Sequence, residues 1–175
     1  MPAVVTLDDL ATMIAADRYG HRYEMSPEGA LSITPLPDSG HAATVSRLLA
    51  WLAAAGWPAE QLLHAAGIRI AGPENDGGRT PDLTVWARPQ PPSTWLTLDD
   101  LLLVVEIVSP GTEAMDDMVK HREYARAGIP RYWVVDQDTA QTVTLHRLGS
   151  GGTYTEQAKL PLAWLLNTSP ADHLD

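Results

Sequence analysis

Two periodicities divide this chain. His41, Val45, Leu48, Leu49 and Leu52 recur at the three-to-four-residue spacing of a helix with one apolar face. Ser39 would cap that helix, and Gly56 and Pro58 would end it. Thr6 would cap an earlier helix reaching about Ala16, with Asp8 and Asp9 in the first turn, where the helix dipole favours acids. A third helix is predicted from about Asp116 to Ala127, stopped by Gly128 with Pro130 just beyond. Strand-like segments lie between these helices. Arg22–Met25 and Ala30–Thr34 flank Ser26-Pro27-Glu28-Gly29, a hairpin signal. One strand is expected within Gln61–Ala71, then a polar loop over Gly72–Thr80. After Pro81, Leu83 and Val85 alternate with Asp82, Thr84 and Trp86. Leu101–Ser109 is almost continuously apolar, as expected of a strand buried on both faces, and Pro110 and Gly111 break it. Arg131–Asp136 and Thr142–Leu148 read as two more strands, Gly151–Gln157 as a short one, and the tail from Pro161 as helical or irregular.

This order predicts an α/β fold with a central mixed sheet flanked by helices. The 175 residues fit a single domain, with a core over about 6–148 and a C-terminal extension over 149–175. At 45% hydrophobic residues the chain can bury a core, and with no Phe its tryptophans, Trp51, Trp86 and Trp133 among them, read as the main aromatic fillers. The absence of Cys excludes disulfides and thiolate metal sites. MPAVVTLDDL has no basic region followed by an apolar run, and no apolar stretch approaches the roughly 20 residues of a membrane span. A soluble, cytoplasmic protein without a membrane partner is the expectation. The net charge of −10 opposes general nucleic-acid binding. The stretch holding Lys120, Arg122, Arg126 and Arg131 against Glu123 is a local exception, whose ordinary reading is a solvated face.

Glu106 breaks the apolar run of its strand. A buried carboxylate needs a partner or a proton. If its strand pairs with the one that follows Asp82, the two acids point to the same end of the sheet and repel each other unless a cation lies between them. Mg²⁺ suits one or two carboxylates with water and phosphate oxygens, and Mn²⁺ is a natural substitute. Lys120, on the following helix, would then stand beside the metal to orient a water or stabilise charge on a phosphate. That set points to metal-assisted phosphodiester hydrolysis. Plainer roles stand beside it. Asp82 could cap a loop, Glu106 could pair with Arg79 or Arg131, and Lys120 could pair with Asp116 one helical turn before it. Tyr124 lies one turn beyond Lys120, either lining the site or packing. Glu24 could be a solvated hairpin residue, and His41 a core or capping residue rather than a metal ligand. The chain has no Gly-rich phosphate loop ahead of a helix, no His-X-X-X-His pair and no nucleophile-elbow Ser.

PDLTV, VVEIVSPGT and DDMVKHREYARAGIPRYWVVD, together with the upstream RYEMSPEGALSITP, resemble the Uma2 family of the PD-(D/E)XK superfamily, over roughly Thr6 to Leu148. The resemblance implies a restriction-endonuclease-like fold. Asp82 and Glu106 would be its acidic metal ligands, with the backbone carbonyl of Ile107 completing the set. Lys120 would be a lysine displaced onto the helix, since Val108 stands at the usual lysine position. Glu24 resembles an acid the superfamily brings from its N-terminal segment. Gly111 and Glu113 depart from the family pattern, which often has Ser and a basic residue there. The implied function is a Mg²⁺-dependent endonuclease acting on DNA, compatible with a homodimer that cuts both strands. The other reading is a catalytically silent interaction or assembly module, favoured by the net charge and by Glu113.

Overall fold

Thr6 starts the first helix, α1 (Leu7–Ala16), by a reciprocal arrangement. Its hydroxyl accepts from the Asp9 N–H at 3.2 Å, and the Asp9 carboxylate accepts the Thr6 N–H at 2.9 Å. The computed structural model describes residues 4–108 and 113–175, with the side chains at 113–116 outside that description. The expected break at Pro110 and Gly111, the Asp116 partner for Lys120 and the Glu113 side chain all fall outside it.

The hairpin pairs β1 (Arg22–Met25) antiparallel with β2 (Leu31–Thr34). α2 (Ser39–Ala54) is capped by Asp38 rather than Ser39: Asp38 Oδ1 accepts the His41 N–H at 2.9 Å, which makes Ser39 the first helical residue. The single strand expected within Gln61–Ala71 is two, β3 (Leu62–His64) and β4 (Ile68–Ile70), in different sheets. Between them Ala65 takes a positive φ of 50°, and the chain turns from one sheet to the other.

The predicted loop over Gly72–Thr80 also contains a strand, β5 (Gly77–Arg79), held antiparallel between β1 and β4. Its glycines allow close approach. A Cβ at Gly77 would lie 2.7 Å from the Met25 carbonyl oxygen, and one at Gly78 would lie 2.6 Å from the Trp95 ring.

β6 (Leu83–Trp86) pairs antiparallel with β7 (Leu101–Val108). β7 leads through α3 (Glu113–Arg126) to its parallel neighbour β8 (Arg131–Asp136), the long crossover that parallel strands require. α3 spans more residues than the predicted Asp116–Ala127, starting earlier at Glu113. β9 (Thr142–Leu148) and β10 (Tyr154–Pro161) complete a six-stranded sheet in the order β10-β9-β8-β7-β6-β3, beside a four-stranded sheet β2-β1-β5-β4. The short strand predicted at Gly151–Gln157 is therefore an eight-residue edge strand. α4 (Leu162–Leu165) and α5 (Ala171–Leu174) follow it, and Leu162, Leu165 and Leu174 join the main core.

β7 is covered on both faces, as its composition predicts. Leu103, Val105 and Ile107 belong to the cluster that holds Val45, Leu48 and Leu52 of α2. Val104 clusters with Tyr124 and Ala125 of α3. A smaller cluster joins Leu7 and Leu10 of α1 to Met25 and Trp95. Trp86 and Trp133 are core residues as expected, whereas Trp164 is 68% exposed on its short helix. Among the described residues no helix is long and apolar enough to cross a membrane.

Candidate active site

Strand register sets the site. Leu83 lies opposite Val105 and Thr84 opposite Val104. One step further along the same register, Asp82 falls beside Glu106. The link is direct, since the Ile107 N–H donates to Asp82 Oδ2 at 2.7 Å. Glu106 lies on the α3 face of β7, and the Tyr124 hydroxyl donates to its Oε1 at 2.6 Å. α3 also carries Lys120, whose Nζ is 3.4 Å from Glu106 Oε1 and 3.1 Å from Glu24 Oε2. Glu24 arrives from β1 and accepts the Thr80 N–H at 2.8 Å, so the smaller sheet delivers it to the end of the larger one.

Asp82, Glu106, Ile107, Lys120 and Glu24 thus line one cleft of about 500 Å³. Tyr124 is fully buried and supports Glu106 from beneath; it is not among the residues lining the cleft. Arg79 and Arg131, the candidate partners for Glu106, pair elsewhere. Arg79 makes a two-point contact with Glu123 at 2.8 and 2.7 Å, and Arg131 donates to the Asp175 backbone oxygen. The Arg122 and Arg126 side chains are exposed and Arg131 is half-buried, in keeping with a largely solvated face.

Two further residues meet Asp82 in the cleft, of which Arg22 was not anticipated. Arg22 Nη2 donates to Asp82 Oδ1 at 2.7 Å. His41 Nε2 reaches the same oxygen at 2.9 Å, and the residue is buried, in keeping with its core reading. Its Nδ1 is buried without a hydrogen-bond partner among the described residues. The sequence held a signal for Arg22. It lies two residues before Glu24 on one strand, so both side chains project to the same face. His41 gave a weaker signal, a polar residue at the head of an apolar stripe.

Burial lifts the Glu106 pKa to about 7. The Lys120 ammonium opposes that rise, and the Asp82 and Glu24 carboxylates add to it. Asp82 sits below its ordinary range. Burial would raise it, but the His41 hydrogen bond, the Arg22 charge and the Ile107 N–H outweigh that effect. Arg22 is correspondingly held more firmly protonated by Asp82, against its own burial.

Among the described residues, and counting Glu123 and Arg79, the cluster places four carboxylates among three Lys and Arg side chains. An excess carboxylate and a hard oxygen donor set fit a small divalent cation of the Mg²⁺ kind. Among the described residues no group of three His, Asp or Glu side chains forms a ready-made cage. Asp82 and Glu106 are the acids on hand, and Ile107 lines the same cleft.

A mixed sheet flanked by helices, with two acids and a lysine at one end, defines a restriction-endonuclease-like fold. The chain belongs to the Uma2 family, whose model, described as "Putative restriction endonuclease", matches residues 7–171. Among solved structures it resembles one from Anabaena variabilis ATCC 29413 titled a "putative nuclease belonging to DUF820". The TM-score is 0.65 at 19% identity, over 87% of this chain and 83% of that one. No curated protein matches the chain.

Proposed function

We propose that this protein is a divalent-cation-dependent endonuclease that hydrolyses phosphodiester bonds in DNA, using Mg²⁺ with Mn²⁺ as a substitute. The observation that carries this reading is the convergence of Asp82, Glu106 and Lys120, remote in sequence, in one cleft. Membership of a family described as restriction endonucleases supports it.

Asp82, Glu106 and the Ile107 carbonyl would hold the cation. When bound, it would supply neutralising charge and acidify a water. The protein's own groups do the positioning. Tyr124 fixes the Glu106 carboxylate from beneath, and the Ile107 N–H fixes Asp82. Glu24 and Glu106 together hold the Lys120 ammonium at the cleft. There it can orient a water and stabilise the negative charge that builds as the water forms one P–O bond and the bond to the departing sugar oxygen breaks. A homodimer would present two such clefts to the two strands of a duplex.

The test is cleavage of single-stranded, duplex and branched DNA with Mg²⁺ or Mn²⁺. Cleavage that EDTA abolishes is expected, with Lys120→Ala slower by about 10²-fold or more while cation binding persists. Cleavage at the full rate in Lys120→Ala would remove the role assigned to the lysine. Cation binding without cleavage of any substrate would favour the second reading, a catalytically silent interaction or assembly module. One observation supports that alternative: both Asp82 oxygens already meet protein groups.

A further inference from the structure

Arg22 stands where a cation would stand. Its guanidinium contacts Asp82 Oδ1 at 2.7 Å, the oxygen that His41 also reaches, while the Ile107 N–H holds Oδ2. A divalent cation drawn to Asp82 must compete with this guanidinium, because two positive centres on one carboxylate oxygen repel each other. Arg22 is also the side chain with room to leave. It is 19% exposed against 1% for Asp82 and 7% for Lys120. It lines both the acidic cleft and an adjoining cavity of about 360 Å³ walled by Tyr23, His64 and Trp95. The two cavities share a rim at Pro35-Leu36-Pro37. The guanidinium can therefore turn away without entering the core, while His41 and the Ile107 N–H keep Asp82 in place. A guanidinium released beside a cleft for a phosphodiester is suited to bidentate pairing with phosphate oxygens.

We propose that Arg22 is an exchangeable counter-ion, which neutralises Asp82 until a divalent cation takes that carboxylate and then turns to a phosphate of the bound strand. The phosphate clamp is thereby set only when the cation is in place. This rests on the reading of Asp82 and Glu106 as a cation site, and the experiment separates the two.

Calorimetric titration with Mn²⁺ alone compares the wild type, Arg22→Gln, Arg22→Met and Asp82→Asn, with thermal melting to verify folding. Arg22→Gln is expected to bind Mn²⁺ about tenfold more tightly than the wild type, and Asp82→Asn to bind none. Wild-type or weaker affinity in folded Arg22→Gln, with binding still dependent on Asp82, overturns the counter-ion role and leaves the cation site standing. Absence of Mn²⁺ binding in both the wild type and Arg22→Gln overturns both. If Arg22→Gln fails to fold, Arg22→Met carries the test, since it keeps the aliphatic stem but lacks the charge. Mn²⁺ binding severalfold tighter than the wild type supports the role, and unchanged binding overturns it. For the clamp, duplex binding is compared in a Lys120→Ala background that slows turnover. Adding Arg22→Gln should weaken binding about tenfold with Mn²⁺ present and leave it unchanged with EDTA. An equal loss under both conditions would show a permanent phosphate contact and overturn the exchange.

Discussion

Glu106 is held in its strand at a pH-dependent cost. Its pKa is about 7 in the folded protein against an ordinary value of 4.5. Below about 4.5 both folded and unfolded chains keep the proton, and nothing is lost. Between about 4.5 and 7 the unfolded chain ionises first, so stability falls as pH rises; above 7 the loss levels off at up to a few kcal/mol. Asp82 acts in the opposite sense, its contribution being lost as pH falls through its depressed folded value. Urea unfolding across a pH series should therefore show Glu106→Gln losing the decline between about pH 4.5 and 7 and becoming more stable than the wild type above it. An unchanged slope would place the proton elsewhere. Glu106 was legible as a charge in an apolar strand and Asp82 as an acid opening a strand after Pro81, whereas Lys120, on a polar helix, stood out only through the family resemblance. Arg22 and His41 gave weaker signals. Their role depends on meeting Asp82 across long sequence separations, and no local pattern encodes that meeting.

At the scale of elements, β5 shows how a glycine pair can conceal a strand. Gly77-Gly78 between polar residues reads as a turn, yet its pairing comes from β1 on one side and β4 on the other. The atoms nearest a Cβ at Gly77 are backbone atoms of Met25, Ser26 and Pro27, which cannot give way, whereas those nearest one at Gly78 are side-chain atoms of Trp95 and Leu7. Gly77→Ala should destabilise the protein by about 1–3 kcal/mol or more, and by more than Gly78→Ala, in chemical unfolding. The same strand leads into Arg79 and Thr80, which hold Glu123 and Glu24. Gly77→Ala should consequently weaken Mn²⁺ binding as well. Stability loss with unchanged binding would separate this strand from the cleft. The helices were easier to read because caps and a 3.6-residue period are local. Even there, adjacent Asp38 and Ser39 are both good caps, and the first of them takes the role.

In the whole molecule, the centre was legible and the margins were not. Leu101–Val108 announced itself as a strand covered on both faces, and α2 and α3 cover it. The division into two sheets, the crossing between β3 and β4, and the full contribution of β10, α4 and α5 to the core depend on long-range pairing. The net charge of −10 likewise says little about the cleft, where, on the proposed reading, the buried carboxylates create a local demand for a cation. The most direct test of that demand is anomalous diffraction from crystals soaked in Mn²⁺. The account predicts a peak roughly 2.1 Å from oxygens of both Asp82 and Glu106, with the Arg22 guanidinium moved off Asp82. A cleft with no peak between the two carboxylates and Arg22 still on Asp82 at saturating Mn²⁺ would contradict it.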